Sequence, residues 1–172
     1  MSDNSIRPEI TLDLTPAPAR LATHTTAIVA DVDVSGTEVA SGRLVVLFEP
    51  EYQPAWDGNI RCVAYIRSEL EPEMVTDPLL LEVGWSWMTD ALTERGVEVS
   101  NLSGTVSRAG SQSFGDISER DPEGSIEIRS SWTVQDNDIA AHVRAWCDVL
   151  SLTAGLAPLT DGVVSISSPG KR

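Results

Sequence analysis

The stretch "GRLVVLFEPEYQPAWDGNIRCVAYIRSEL", residues 42–70, decides the fold class. Its opening, near 42–49, is a short apolar run rich in branched residues and stopped by Pro50, which reads as a buried strand. The linking residues 50–58 end on Asp57-Gly58, a turn dipeptide. "NIRCVAYIRSEL" then reads as a second strand over about 59–68. Two such strands with no helix between them pair antiparallel, as a hairpin whose loop exceeds the common two residues.

Toward the C-terminus, "DPLLLEVGWSWMTDALTERG" predicts a helix over 77–96, with Asp77 as N-cap, Pro78 at the first helical position and Gly96 closing it. Leu81, Trp85, Met88 and Leu92 share one stripe, and Leu80, Gly84, Trp87 and Ala91 form the neighbouring row. "VEVSNLSGTVSR" reads as a strand near 97–108, "SQSFGDIS" as a short strand, and "DPEG" at 121–124 as a turn. "SIEIRSSWTV" alternates: Ile126, Ile128, Ser130, Trp132 and Val134 face one way, Glu127, Arg129, Ser131 and Thr133 the other. Asp136 or Asp138 caps a last helix, with Ile139, Val143, Trp146, Cys147 and Leu150 on its inner stripe and Gly155 and Pro158 at its end.

Toward the N-terminus, "EITLDLT" predicts a short edge strand. "TPAPARLATHTTAIVADVDV" predicts a helix over about 17–33, with Thr15 as N-cap, Pro16 at the first position and Ser35-Gly36 as its stop. The expected order is α-β-β-α-β-β(-β)-α. This is a single α+β domain over 9–158, an antiparallel sheet of four to five strands with three helices mainly on one face. Residues 1–8 and 159–172 are expected to be flexible tails.

The chain has 172 residues, of which 41% are hydrophobic and 22% charged, an ordinary globular balance. Acidic residues number 26 against 12 basic, a formal net charge of −14. That field argues against nucleic acid and anionic membrane surfaces as partners. The arginines look scattered, and the only lysine is Lys171. The N-terminus lacks the basic and apolar regions of a signal peptide, and no apolar run approaches a membrane span, so a cytoplasmic location is expected. Cys62 and Cys147 each lie in an apolar segment without a CxxC spacing and read as buried thiols.

Taken together, "RPEI…PAPARLA", "ELEPEMVTDPLLLEVGWSWMTDAL", "GTVSR…FGDI" and "EIRSSWT…AAHVRAWCDVL" resemble an actinobacterial domain-of-unknown-function family, number 3000, over about residues 7–158. The resemblance implies a bacterial, cytoplasmic origin and brings no activity, ligand or catalytic residue with it.

Candidate chemistry is sparse. Glu69, Glu71, Glu73 and Asp77 gather carboxylates between strand and helix, but without a calcium-loop pattern they read as a solvated loop, and no metal is expected. His24 and His142 are the only histidines; Cys147 follows His142 by five residues, off its helical face, which leaves an approach of His24 to Cys147 across the fold. "SGTVSRAGS" lacks a phosphate-loop pattern. Trp85, Trp132 and Trp146 read as core. Trp87, beside the small Gly84 and Ala91, is the candidate partner surface, and Phe114 marks the long polar loop 109–124, a candidate flap. The leading expectation is a non-catalytic binding or interaction module, adaptor- or chaperone-like, with no cofactor and with a homodimer or another protein as partner. The alternative is a small-molecule-binding domain or enzyme using a pocket on the open sheet face, with His24 or His142 beside a carboxylate.

Overall fold

The computed structural model describes residues 6–157; the expected C-terminal tail, 159–172, lies outside them, as do residues 1–5. Six strands, β1 Ile10–Thr15, β2 His24–Val34, β3 Thr37–Gln53, β4 Gly58–Leu70, β5 Val99–Ser111 and β6 Glu123–Val134, form one open antiparallel sheet in the order β1-β2-β3-β4-β6-β5. Helices α1 Pro72–Val75, α2 Leu80–Glu94 and α3 Ile139–Thr153 complete an α+β architecture. The chain leaves β4, crosses through α1 and α2 to the edge strand β5, and returns as β6 into the slot between β4 and β5.

The central hairpin stands where the sequence puts it, longer at both ends, with Leu44 opposite Ala64 and Val46 opposite Cys62. The N-terminal third differs. Residues 24–34 form strand β2 between β1 and β3, not a helix over 17–33, and the sheet has six strands, not four or five. Thr25, Thr26, Ile28, Val29, Val32 and Val34 are all β-branched, a composition that suits a pleated sheet better than a helix. Pro16 follows the last residue of β1 instead of opening a helix. Ser35 and Gly36, at φ 55° and 81°, make the two-residue turn joining β2 to β3, with Val34 paired to Thr37.

Two smaller expectations also fail. "SQSFGDIS" carries a single 3-10 turn at Gly115–Ile117. "DPEG" is not a turn: Glu123 and Gly124 already belong to β6, with Gly124 paired to Leu70 and Gly110. A side chain at Gly124 would collide with Val75 of α1, so the glycine serves close packing here.

One sheet face carries both long helices. Ala30, Val32, Leu44, Ala64, Ile66, Ile126, Ile128 and Trp132 present buried side chains to Leu80, Met88, Ala91 and Leu92 of α2 and to Ala145, Trp146, Val149 and Leu150 of α3. The alternation read in 125–134 is the observed one. The side chain of Asp138 caps α3 by accepting the Ala141 N–H at 3.0 Å, and Asp77 Oδ1 accepts the Leu79 N–H at 2.8 Å just before α2. Arg95, after α2, grips Asp148 of α3 through Nε and Nη2 at 2.6 and 2.7 Å.

Two aromatic-to-glycine contacts set how closely the helices approach. Trp146 lies over Gly42 of β3, where an added Cβ would stand 2.8 Å from the indole. Trp85 lies over Gly104 of β5, where a Cβ would stand 2.6 Å from the ring and would also strike the Arg129 carbonyl oxygen. Both indoles occupy the volume a side chain would need. Gly104→Ala is therefore expected to cost about 1–3 kcal/mol by overpacking. Urea unfolding should show a lowered midpoint at unchanged slope, and a midpoint equal to wild type would show that this contact is not tight.

Candidate functional site

The opposite sheet face is only partly covered. Residues 16–23, between β1 and β2, lie across one side of it: Ala17 and Ala22, together with Trp56 of the β3–β4 loop, pack on Ala27, Val45 and Leu47. Beyond that cover lies a groove of about 520 Å³, within the range of small-molecule sites. Val45 and Val63, cross-strand partners on β3 and β4, are among the residues lining it, together with Pro18 and Leu21. Val63 is 43% exposed in mid-strand, an apolar surface that the described residues leave open.

The next rung of the sheet supplies the polar wall. Arg43 of β3, Tyr65 of β4, Arg129 of β6 and Thr105 of β5 stand opposite one another in register and all line the groove. Arg129 lies over the Tyr65 ring, 5.1 Å from its centre, and donates to Glu127 Oε2 at 2.8 Å. The Tyr65 hydroxyl donates to Glu127 Oε1 at 2.9 Å. That hydroxyl, against the cost of burial, and then Arg129 hold the Glu127 carboxyl below its ordinary value. Arg43 has weaker partners. Its Nη2 reaches the Pro16 carbonyl at 3.4 Å, and its buried Nε–H meets no acceptor among the described residues. Arg61, one rung past Val63, is held by neutral acceptors: Nη1 donates to Asn101 O and Thr133 Oγ1 at 2.9 Å, and Nη2 to Ser131 Oγ at 2.7 Å. Burial lowers its pKa from the ordinary arginine value.

The residues singled out from sequence fall elsewhere. Gly84 is buried with Ile126 and Val106 where its side chain would be, and Ala91 is buried in the same core, so this row of α2 packs on the chain's own sheet. Leu81, placed on the inner stripe, is exposed instead. Trp85 and Trp87 are both half-buried against the main core. Phe114 is 72% exposed beside the 3-10 turn. Glu69 pairs with Arg67 at the surface, and Glu71 and Glu73 are exposed around α1. Among the described residues no group of three or more His, Cys, Asp or Glu side chains gathers to hold a metal.

His24 stacks on Phe48 at 5.8 Å between the ends of β2 and β3. His142 is wholly buried. Its Nδ1 accepts the Trp132 indole N–H at 3.0 Å, and its Nε2 faces both Asp136 oxygens at 3.1 Å. An indole N–H only donates, so Nδ1 is the acceptor, and the ring proton sits on Nε2, directed at the carboxylate. This histidine stands beside a carboxylate but does not line the groove, and neither does His24. Cys62 and Cys147 are buried and free; burial pushes both thiols up to about 12, which removes them as thiolate nucleophiles at neutral pH.

The groove residues were hidden in the sequence because they lie on four separate strands. The available signal was their phase. Arg43, Tyr65 and Arg129 occupy outward positions of alternating strands, and Val45 and Val63 are apolar at outward positions where polar residues are the rule.

The family model described as "Protein of unknown function (DUF3000)" matches residues 1–164. The chain belongs to this DUF3000 family. No curated protein and no solved structure matches the chain. Membership thus assigns no chemistry to the groove, whose reading rests on its own residues. Among the described residues, no helix is long and apolar enough to cross a membrane.

Burial works to raise the pKa of Asp136. The backbone N–H groups of Glu98 and Asp138 and the His142 ring outweigh it and hold the carboxyl below its ordinary value. A depressed carboxyl contributes stability that is fully present above the ordinary value of 3.8 and is lost as pH falls through the lower folded value. Thermal unfolding from neutral pH down to about pH 2 should show this loss, with a shallower acid limb in Asp136→Asn. Equal slopes in the two proteins would remove Asp136 from the account. His142→Phe, which strands the Trp132 indole N–H, should cost about 2–4 kcal/mol at neutral pH.

Proposed function

We propose that this DUF3000 protein is a non-catalytic binding module whose ligand site is the groove on the open sheet face. The observation that carries the reading is Val63, left exposed in the middle of a six-stranded sheet and bordered by the Arg43–Tyr65–Arg129 rung. A concave apolar surface with a few convergent polar groups is the usual form of a small-molecule site. Catalysis finds little support. The thiols are buried, His142 is enclosed by Trp132 and Asp136, and neither histidine lines the groove.

The reading of α2 as a partner surface, and of the protein as a homodimer, is supported less well. Gly84 and Ala91 are spent on the chain's own core, which leaves the half-buried Trp87 and the exposed Leu81 and Val83. A cytoplasmic location is part of the proposal; two free buried cysteines and an acidic composition support it.

A fragment screen by amide chemical-shift perturbation tests the site. Shifts should cluster at Val63, Ser103, Thr105 and Ser131. Val63→Asp should abolish them while the far-ultraviolet circular dichroism stays that of wild type, because the side chain is already solvent-exposed. Shifts confined to the outer surface of α2 would overturn the proposal in favour of the α2 interface.

A further inference from the structure

The groove differs in charge from the molecule around it. The chain carries a net −14, yet among the described residues that line the groove there are two arginines and no aspartate or glutamate. Glu127, just outside it, binds Arg129 and the Tyr65 hydroxyl and so offsets one of the two positive charges. Arg43 is left over. Among the described residues no carboxylate bonds to it, and its hydrogen bonding amounts to one long contact with Pro16 O. A guanidinium has five N–H donors, and the Nη groups of Arg43 make only that long contact among the described residues, so they are suited to an acceptor arriving from outside. One uncompensated positive charge fits a monoanion. Val63, Val45 and Leu21 beside it fit an apolar body, and the hydroxyls of Ser103, Thr105 and Ser131 lie along the β5 side of the site.

Resting on the binding-module reading above, we propose that the groove takes a small monocarboxylate with an apolar body, its carboxylate on Arg43 and its body against Val63. Arg129, stacked on Tyr65 and tied to Glu127, forms the wall on the far side of Tyr65. The apolar part provides contact area, and the charge-assisted hydrogen bond to Arg43 selects the anion. Arg61 is not the anion site, because it does not line the groove and Asn101, Thr133 and Ser131 already take three of its five N–H donors.

Isothermal titration of the full chain with octanoate and decanoate, against octanamide, decanamide and inorganic phosphate, tests this. The carboxylates should bind about tenfold or more tightly than their amides, and phosphate should bind more weakly than either carboxylate. Arg43→Gln should remove the preference for carboxylate while leaving the amides where they were, and Val63→Asp should weaken carboxylate and amide alike. Carboxylates and amides binding equally, with both lost in Val63→Asp, would overturn the anion assignment and leave the groove as an apolar site. Phosphate binding as well as octanoate would overturn the apolar part. No binding of any probe to wild-type protein would overturn both this inference and the reading it rests on.

Discussion

The contact on which the rest of the molecule depends is the seating of two tryptophans over two glycines, Trp146 on Gly42 and Trp85 on Gly104. Each indole brings a large apolar surface to a point where the strand offers no side chain, so α3 and α2 come close to the sheet. Both sockets lie on the same face. Once they are filled, the two long helices are committed there and are joined to each other by Arg95 and Asp148. Among the described residues, the other face is covered by residues 16–23 and the Trp56 loop, and these reach Ala27, Val45 and Leu47 but leave Val63 open. Among the described residues, the groove is the part of this sheet face left without a covering element.

A second constraint fixes where α3 starts. Trp132 on β6, His142 on α3 and Asp136 in the turn between them form one polar chain in a buried setting, and Asp136 also accepts the Glu98 N–H just ahead of β5. Every member needs its neighbour, because a buried indole N–H or carboxylate without a partner costs more than the hydrogen bond gains. The chain therefore specifies one register between β6 and α3 and holds the end of β5 to it. A histidine at this position is a structural polar residue, whatever its chemistry suggests in isolation.

Much of this fold was legible because most of its elements bury one side only. The alternation in 125–134 and the last helix each lie where their period puts them, and the central hairpin lies where its branched apolar run and turn residues put it. The N-terminal third was not legible because β2 has apolar residues in both phases: Ile28, Ala30 and Val32 toward the helices, Ala27 and Val29 toward the other face. With alternation blurred, Thr15-Pro16 and Ser35-Gly36 passed for helix ends, although the β-branched content favoured a strand. The row of Gly84 and Ala91 was legible as a site of close approach. The approaching surface is the chain's own sheet, at Val106 and Ile126, and sequence spacing alone does not separate an internal neighbour from a partner. The candidate site was least legible of all, because it exists only in cross-strand register, where arginines 22 and 64 residues from Tyr65 meet it on one rung.

The charge of the chain bears on what such a groove does. At −14 the whole molecule repels an approaching anion, but in physiological salt that repulsion fades beyond about 8–10 Å. Inside that distance the nearest charges decide, and the lining presents Arg43 and Arg129 without a carboxylate. An anionic ligand would then gain nothing from long-range steering and would depend on contact: one guanidinium with donors to spare and an apolar strand surface beside it. A multiply charged anion would find only one uncompensated cation at contact. The apolar monoanion proposed above would match that single cation and use both halves of the groove.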